Sequence, residues 1–237
     1  MPPSELPVTF AHRGGLGRHP ENTVAAFGEA LALGAQGLET DIWHSGDGAV
    51  VLRHGYWVWF RVGGIFPWRR RVDRMSSAHL AKLGIPRLVD LYETLGSDYE
   101  LSIDVKQSGM GSALAAAVPT HEARSRLWLC SPHLAELEAL AQALPEALLV
   151  HSQRRSRLDG SLERHAATLA EAGIDAMNMH HADWSAGLVA LFHRFGVRAF
   201  AWDVQEIRHL RAMAKIGVDA VYSDHVERMV TTLQQLN

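Results

Sequence analysis

Seven polar side chains in the first half of the chain are of the types that cleave phosphodiesters with the help of a metal ion. Two are histidines, three are carboxylates and two are cations: His12, His54, Glu39, Asp41, Asp104, Arg13 and Lys106. Histidine exchanges protons near neutral pH, carboxylates bind hard divalent cations, and arginine and lysine attract phosphoryl oxygens. Together these side chains form the inventory of a metal-assisted phosphodiesterase.

The spacing of the carboxylates predicts a shared site. Side chains alternate between the faces of a strand, so Glu39 and Asp41 share one face, as do Asp104 and Lys106 on another strand. Carboxylates on a buried strand are costly unless they are paired or bind a metal. An all-oxygen set without thiolates favours Mg²⁺ or Ca²⁺ over zinc. The structural alternative is an ion-pair network in which Arg13 and Lys106 neutralise these carboxylates.

Composition excludes several other classes of protein. The chain has 237 residues, 47% hydrophobic and 21% charged, which is typical of a globular protein with a sizeable core. A formal charge of −3 argues against a nucleic-acid binder. Cys130 is the only cysteine and lies in an apolar run, so we expect it to be buried and free of any intrachain disulfide. The first residues lack the features of a signal peptide, and no apolar run could span a bilayer, so we expect a cytoplasmic location.

Strand-like and helix-like segments alternate along the chain, which predicts βα units around a parallel sheet. The predicted strands cover residues 8–12, 38–43, 100–106, 127–131, 147–151, 176–180, 198–203 and 220–223. Eight such units predict an α/β fold of the (β/α)8 TIM-barrel type, a single domain over residues 1–237, with an insertion at about residues 55–84 after the second strand. A doubly wound open sheet is the alternative. In a barrel, the polar residues above would meet at the carboxyl ends of the strands.

Helix signals support the same reading. Asn22 or Thr23 is placed to cap the first helix, and Gly34 to end it. Apolar residues from Ile207 onward predict a helix that stops at Gly217 and buries that face. Asp224, after the last strand, is expected to cap the final helix.

Short motifs in a fixed order give a resemblance to a known family. They are His12-Arg13-Gly14, Pro20-Glu21-Asn22-Thr23, Glu39-Thr40-Asp41 and Val50-Val51-Leu52-Arg53-His54, followed by Ile85-Pro86-Arg87-Leu88, Asp104-Val105-Lys106, and Gly217-Val218-Asp219 with Ser223-Asp224. In this order they resemble the glycerophosphodiester phosphodiesterase family. The match is dense over residues 8–54 and sparser afterwards, and the resemblance implies an inserted element at the place predicted above.

The resemblance also implies roles for individual residues. It implies that Glu39, Asp41 and Asp104 bind the divalent cation, that His12 and His54 form the acid–base pair, and that Arg13 and Lys106 face the phosphate. Trp202 would lie against the glycerol or the leaving group, although a packing role is the alternative. Lys106 could instead only neutralise Asp104, and Glu21 could reach the ligand or only stabilise its loop.

Two positions depart from the family pattern. Asp104 stands where glutamate is usual, so its carboxylate reaches about 1.5 Å less far, roughly one covalent bond. Gly55 stands where the family commonly has an aspartate after the second histidine. If that aspartate orients the ring, His54 must find another partner or lose efficiency.

The function expected from these motifs is metal-dependent hydrolysis of glycerophosphodiesters to sn-glycerol 3-phosphate and an alcohol. Two alternatives stay open: a lysophospholipase D acting on lysolipids, and a barrel that binds phosphodiesters without cleaving them. Residues 56–71 concentrate tryptophan and arginine, so this segment is expected either to contact a membrane surface or to form a cap whose aromatics pack on the barrel.

Overall fold

Eight parallel strands form a closed barrel in the computed structural model, which describes residues 6–62 and 66–236. The strands are β1 Val8–His12, β2 Gly37–His44, β3 Val50–Leu52, β4 Trp57–Val62, β5 Phe66–Arg71, β6 Glu100–Val105, β7 Leu127–Ser131, β8 Leu148–Ser152, β9 Ala176–His180, β10 Arg198–Trp202 and β11 Ala220–Ser223. The helices are α1 Val24–Ala32, α2 Ser77–Lys82, α3 Leu88–Leu95, α4 Gly111–Ala117, α5 His121–Ser125, α6 Leu134–Ala143, α7 Leu162–Glu171, α8 Ala186–Arg194, α9 Ile207–Ile216 and α10 Val226–Gln234. Short 3-10 turns cover Val72–Arg74, Arg155–Arg157 and His181–Asp183.

The strand order confirms the predicted TIM barrel. The parallel strands follow one another around the barrel as β1, β11, β10, β9, β8, β7, β6 and β2, and β1 also pairs with β2. Because β1 has a parallel neighbour on both sides, the sheet has no open edge there, and the alternative of a doubly wound open sheet is wrong. Each predicted strand corresponds to one of these eight strands, with ends that agree to within about a residue.

Aromatic side chains fill the interior of the barrel. Phe10 stacks on Tyr222 with ring centroids 4.8 Å apart, and Trp128 lies 5.0 Å from Phe200. These residues belong to a buried cluster separate from the larger apolar layer between the strands and the helices. The residues two positions further along each strand share the inward face and stand above this aromatic layer. They are His12, Cys130, Trp202 and Asp224. Cys130 is buried, as expected.

The predicted helix signals are confirmed at the start of α1 and at the end of α9. The Thr23 hydroxyl accepts a hydrogen bond from the Ala26 N–H at 3.3 Å, so Thr23 caps α1. Gly217 ends α9 in the left-handed conformation, with φ of +83°. Ile207, expected on the buried face of that helix, is 45% exposed. It is the first residue of α9 and borders a surface cleft, whereas Leu210 and Met213 further along are buried.

The predicted insertion contains a separate β-hairpin. β3 pairs antiparallel with the end of β2, and β4 and β5 then form their own two-stranded sheet. Val58 of β4 packs into a small apolar cluster with Val51, Val72 and Leu80, which attaches the insertion to the outside of the barrel. Residues 63–65 of the predicted insertion lie outside the described residues. Across the described residues, none of the helices combines the length and the apolar character needed to cross a bilayer.

Candidate active site

A cavity of about 540 Å³ opens at the carboxyl ends of the barrel strands. Of the predicted site residues, those that line the cavity are His12, Arg13, Glu39, His54, Asp104, Lys106 and Trp202. Asp41 is only 1% exposed and lies beneath them. The strand ends therefore bring together residues that are as far apart in sequence as His12 and Trp202.

The three predicted metal-binding carboxylates converge. Parallel pairing of β2 with β6 places Asp41 opposite Asp104, and Glu39 shares the inward face with Asp41. One oxygen from each of Glu39, Asp41 and Asp104 lies within 4.8 Å of the others. Asp41 Oδ2 is buried and has no hydrogen-bond partner within the described part of the chain. An all-oxygen donor set with an unsatisfied buried oxygen fits a hard divalent cation.

Both predicted phosphate-binding cations also contact this acidic cluster. Lys106 Nζ lies 2.7 Å from Asp104 Oδ2 and 2.8 Å from Asp41 Oδ1. Arg13 Nε lies 3.1 Å from Asp41 Oδ2, although the two atoms are not aligned for a hydrogen bond. Although burial opposes the charged form, Asp104 and Asp41 raise the pKa of Lys106. The structure thus contains both the ion pairs expected of a purely structural network and the three converging carboxylates expected of a cation site.

The pKa of Glu39 is raised by its surroundings. Its burial raises the pKa of the carboxyl, and Asp41 and Asp104 raise it further, whereas His12 lowers it. Three carboxylates this close in a buried site repel one another, and a bound cation is one means of relieving the repulsion.

The backbone at Arg13 explains why this motif is His-Arg-Gly. Arg13 has φ of +52°, and its N–H donates a hydrogen bond to Glu39 Oε2 at 3.0 Å. At Gly14, φ is +85°, and a Cβ would lie 2.8 Å from the Cβ of Ala26. Only glycine avoids both the strain and this clash. Among the described non-glycine residues, positive φ occurs at Arg13, Asn22 and Asp203, and strained backbone of this kind concentrates at functional sites.

His12 has a partner that the sequence did not reveal. Its Nδ1 lies 2.6 Å from Asp224 Oδ1, and its Nε2 is directed to Glu39, with Oε2 at 3.8 Å. Gln205 holds the other oxygen of Asp224 by a hydrogen bond from Nε2 at 2.9 Å. Although burial opposes protonation of the ring, Glu39 and Asp224 raise the pKa of His12 to about 9.

The expectation that Asp224 caps the last helix is wrong. The N-cap residue of α10 is His225, and no side chain caps this helix. Asp224 follows β11, two positions after Tyr222, whose side chain is buried in the barrel interior. Side chains two positions apart share one face of a strand, so Asp224 also faces inward. Its carboxylate is therefore directed to the neighbouring strand β1 and to His12.

His54 lies in a different setting, on the loop that follows β3. Its side chain is exposed, and the structure gives the ring no hydrogen-bond partner anywhere in residues 6–62 and 66–236. Burial lowers the pKa of His54, and the nearby Arg13 and Lys106 lower it further, against the attraction of Asp41. Arg53 fixes the loop by donating to the carbonyl oxygens of Gly55 at 2.8 Å and Trp57 at 3.0 Å.

The far side of the cavity is formed in part by Arg154, Asn178 and Trp202. Trp202 ends β10, and the guanidinium of Arg154 lies 5.7 Å from its ring centroid. Asn178 lines the cavity, is 6% exposed, and its Oδ1 has no partner among the described residues. His180 ends β9 and His181 follows it, and neither is among the residues that line this cavity.

Residues of the loop after β1 support its conformation. Asn22 is buried and accepts a hydrogen bond from the Thr40 hydroxyl at 2.7 Å. Glu21 is 53% exposed and pairs with Arg13, with Nη1 and Oε2 3.2 Å apart. Neither side chain lines the cavity, which favours the loop-stabilising interpretation for both.

Comparison with known proteins identifies the same family along nearly the whole chain. The model of the glycerophosphoryl diester phosphodiesterase family matches residues 12–108 and 88–228. A glycerophosphodiester phosphodiesterase of Caldanaerobacter subterraneus subsp. tengcongensis is 26% identical over 251 residues, which cover 96% of this chain and 98% of the relative.

Solved structures of similar proteins share the fold. A glycerophosphodiester phosphodiesterase from Thermotoga maritima superposes with a TM-score of 0.78 at 21% identity, covering 96% of this chain and 98% of the other. An Oleispira antarctica phosphodiesterase, solved in complex with the product sn-glycerol-3-phosphate, gives a TM-score of 0.76 at 22% identity, with 97% of each chain covered.

Proposed function

This chain belongs to the glycerophosphoryl diester phosphodiesterase family, whose members are phosphoric diester hydrolases, and we propose that it hydrolyses glycerophosphodiesters to sn-glycerol 3-phosphate and an alcohol. The observation that carries the proposal is a single cavity at the barrel mouth lined by the two histidines, the two cations and two of the three carboxylates, with Asp41 beneath. The product is proposed from the Oleispira antarctica phosphodiesterase, whose structure contains sn-glycerol-3-phosphate.

Glu39, Asp41 and Asp104 would hold a divalent cation, and we propose Mg²⁺ or Ca²⁺ because the donors are all carboxylate oxygens. When bound, such a cation supplies Lewis-acid polarisation of phosphoryl oxygens. The unsatisfied oxygen of Asp41 supports this assignment. The shorter reach of Asp104 is offset in part by its position directly opposite Asp41 on the neighbouring strand.

Arg13 and Lys106 can bind the phosphate without leaving the acidic cluster. Lysine has three N–H donors, and two of those on Lys106 face Asp104 and Asp41. Arginine has five donors, and in Arg13 only Nη1 makes a hydrogen bond to a side chain within the described residues, to Glu21. Both side chains line the cavity, so their remaining donors are available to phosphoryl oxygens and would offset the negative charge that develops there.

The two histidines differ in ways that assign their roles. His54 has a lowered pKa and a ring with no hydrogen-bond partner among the described residues, which suits a base that takes the proton from the attacking group. His12 has its pKa raised to about 9 and is held at Nδ1 by Asp224, which suits an acid that gives the Nε2 proton to the leaving oxygen. Asp224 would keep the ring in the orientation that directs Nε2 into the cavity.

A panel of glycerophosphodiesters assayed across divalent cations tests this proposal. We expect turnover with Mg²⁺ or Ca²⁺, loss of turnover with a chelator, and loss in both His12→Ala and His54→Ala. The Asp41→Asn variant should lose the response to added cation, and a direct titration of cation binding by calorimetry should show weaker affinity. A carboxylate must be ionised to bind the cation, so replacing it by an amide removes the ligand. The matched control is Glu21→Gln, which makes the same kind of change on the loop after β1, outside the cavity.

Binding without turnover is the competing reading, motivated by Gly55 and Asp104. Saturable binding of glycerophosphocholine with no product under any cation would support that reading and contradict the hydrolase proposal. Release of glycerol phosphate that depends on both histidines would exclude it.

A further inference from the structure

We infer that the β4–β5 hairpin docks on an anionic lipid surface through an indole–arginine band made of Trp59, Trp68, Arg69 and Arg70. Trp59 is 61% exposed and Trp68 is 54% exposed, values that are unusual for tryptophan side chains in a folded protein. Nothing in the proposed hydrolysis uses these residues, because among the described residues of 55–84 none lines the catalytic cavity.

Strand register places both indoles at one level of the hairpin. Trp59 of β4 pairs with Arg69 of β5, and Trp68 of β5 pairs with Phe60 of β4. Phe60 directly follows Trp59 on β4. One position along a strand is about 3.4 Å. Because successive side chains alternate between faces, the two indoles project from opposite faces at nearly the same distance from the barrel. Tryptophan concentrates at the level of lipid head groups, where its ring meets apolar chains and its N–H meets water.

The arginines of the band are placed for lipid phosphates. The Arg69 guanidinium lies 4.3 Å from the Trp57 ring centroid and 5.4 Å from that of Trp59, so its cation is held against the indoles. Arg70, one position nearer the barrel, is exposed. Among the described residues, no carboxylate oxygen lies within 4.0 Å of either guanidinium. Arg71, in contrast, is paired with Asp73 and is not counted in the band.

The base of the hairpin is rigidly attached, so docking would position the barrel mouth. Val58 is 5% exposed within the apolar cluster under the insertion, and Phe60 packs against the same cluster. The hairpin continues directly from the loop of His54, which Arg53 ties to the carbonyl of Trp57. A hairpin fixed at its base, with two cations and two indoles exposed further along its strands, has the charge and amphipathic character that an anionic membrane surface binds.

Nucleic acid is the less favoured partner. The band offers two cations that have no carboxylate partner among the described residues, on a chain with a formal charge of −3, and a phosphate backbone is bound by an extended basic stripe. A lipid surface requires only a local patch, because indoles and cations act together at one depth.

Co-sedimentation of the full chain with vesicles tests the inference. We expect binding to phosphatidylcholine vesicles containing phosphatidylglycerol, and at least fivefold weaker binding to phosphatidylcholine alone. Arg69→Gln with Arg70→Gln should weaken binding to the anionic vesicles by about tenfold or more, since each basic residue near such a surface contributes roughly a fivefold factor. Trp59→Ser with Trp68→Ser should weaken it on both vesicle types. The matched control is Arg194→Gln with Arg208→Gln, two exposed arginines on α8 and α9, which lie across the barrel from β2.

Hydrolysis of a water-soluble diester and the thermal unfolding midpoint should be unchanged in these variants, which separates a docking defect from misfolding or lost catalysis. Absence of vesicle binding would overturn the inference, as would equal binding to both vesicle types or equal losses in the control variant. Tight binding of single-stranded DNA that depends on the same four residues would replace the lipid assignment with a nucleic-acid one. A chain that docks but hydrolyses nothing would contradict only the proposed function.

Discussion

The two histidines of the cavity are held by two different parts of the molecule. His12 ends a central barrel strand, and its ring is fixed by Asp224 on one neighbouring strand and faces Glu39 on the other. His54 lies on a loop that follows a short antiparallel strand, and its exposed ring has no hydrogen-bond partner in the described residues. The pKa is raised at His12 and lowered at His54.

The proposed assignment of one histidine as the acid and the other as the base rests on this difference. Burial lowers the pKa of both histidines. At His12, the carboxylates of Glu39 and Asp224 raise the pKa by more than burial lowers it. At His54, the charges of Arg13 and Lys106 lower the pKa further. The barrel wall therefore holds the ring of His12 in place, whereas the described residues give the ring of His54 no hydrogen-bond partner.

The largest expected effect is the loss of either ring. His12→Ala and His54→Ala should each reduce kcat by about 10²- to 10⁴-fold, because each removes one proton transfer. Their effects on stability should differ. His12→Ala leaves Asp224 without its partner and should lower the free energy of unfolding by about 1 kcal/mol, or a few degrees in Tm. His54→Ala should change the free energy of unfolding by less than about 0.5 kcal/mol.

Steady-state kinetics and calorimetric unfolding of the two variants measure this contrast. Equal destabilisation in both variants would remove the basis for treating the two settings as different. Retention of turnover in His54→Ala would show that the loop histidine is not the base.

The next effect concerns the support behind His12. Asp224→Asn preserves the size of the side chain but removes its charge, and loss of such an outer partner typically costs about 10- to 100-fold in activity. The loss should fall on kcat with KM nearly unchanged, because Asp224 is proposed to act on the ring and not on the substrate. Gln205→Ala should give a smaller loss in the same direction, since Gln205 contacts Asp224 at its carboxylate and its backbone N–H and makes no hydrogen bond to His12 among the described residues. A loss in KM alone would assign Asp224 to substrate binding instead.

Asp224 also marks the limit of what the sequence could predict. The eight strands and the inward positions of Glu39, Asp41 and Asp104 follow from local patterns, because strand parity and β-rich runs are readable over a few residues. The contact between His12 and Asp224 depends on closure of the barrel between its first and last strands, and no local pattern encodes it. The pairing of β4 with β5 was likewise not predicted, since the three successive arginines of β5 break the alternation of apolar and polar residues expected of a strand, and the pairing stands apart from the barrel sheet.

The pH dependence of kcat/KM tests the same assignment by a smaller effect. The proposed roles require neutral His54, so activity should rise as pH increases through a pKa below the usual 6.5 of histidine. They also require protonated His12, so activity should fall as pH increases through a pKa above the usual 6.5. In Asp224→Asn, one source of the raised pKa is gone, and the alkaline limb should move to lower pH by about one unit or more. The acidic limb should stay in place, and movement of that limb instead would reverse the two roles.

The smallest effect is expected from giving His54 the kind of partner that His12 already has. The backbone of Gly55 is not in the left-handed region, and a Cβ built there meets nothing closer than 3.8 Å, so Gly55→Asp is accommodated without strain. The new carboxylate would restore the residue that is usual in this family and could accept a hydrogen bond from the ring. It should raise kcat by about two- to tenfold, within the range of outer-partner effects, and raise the pKa of the acidic limb.

The matched control is Gly55→Asn, which fills the same space without the charge and should leave the acidic limb unmoved. If Gly55→Asp instead lowers kcat with the acidic limb unchanged, the carboxylate has paired with Arg53, whose guanidinium lies 3.8 Å from the built Cβ, and the freedom of the loop matters more than orientation of the ring.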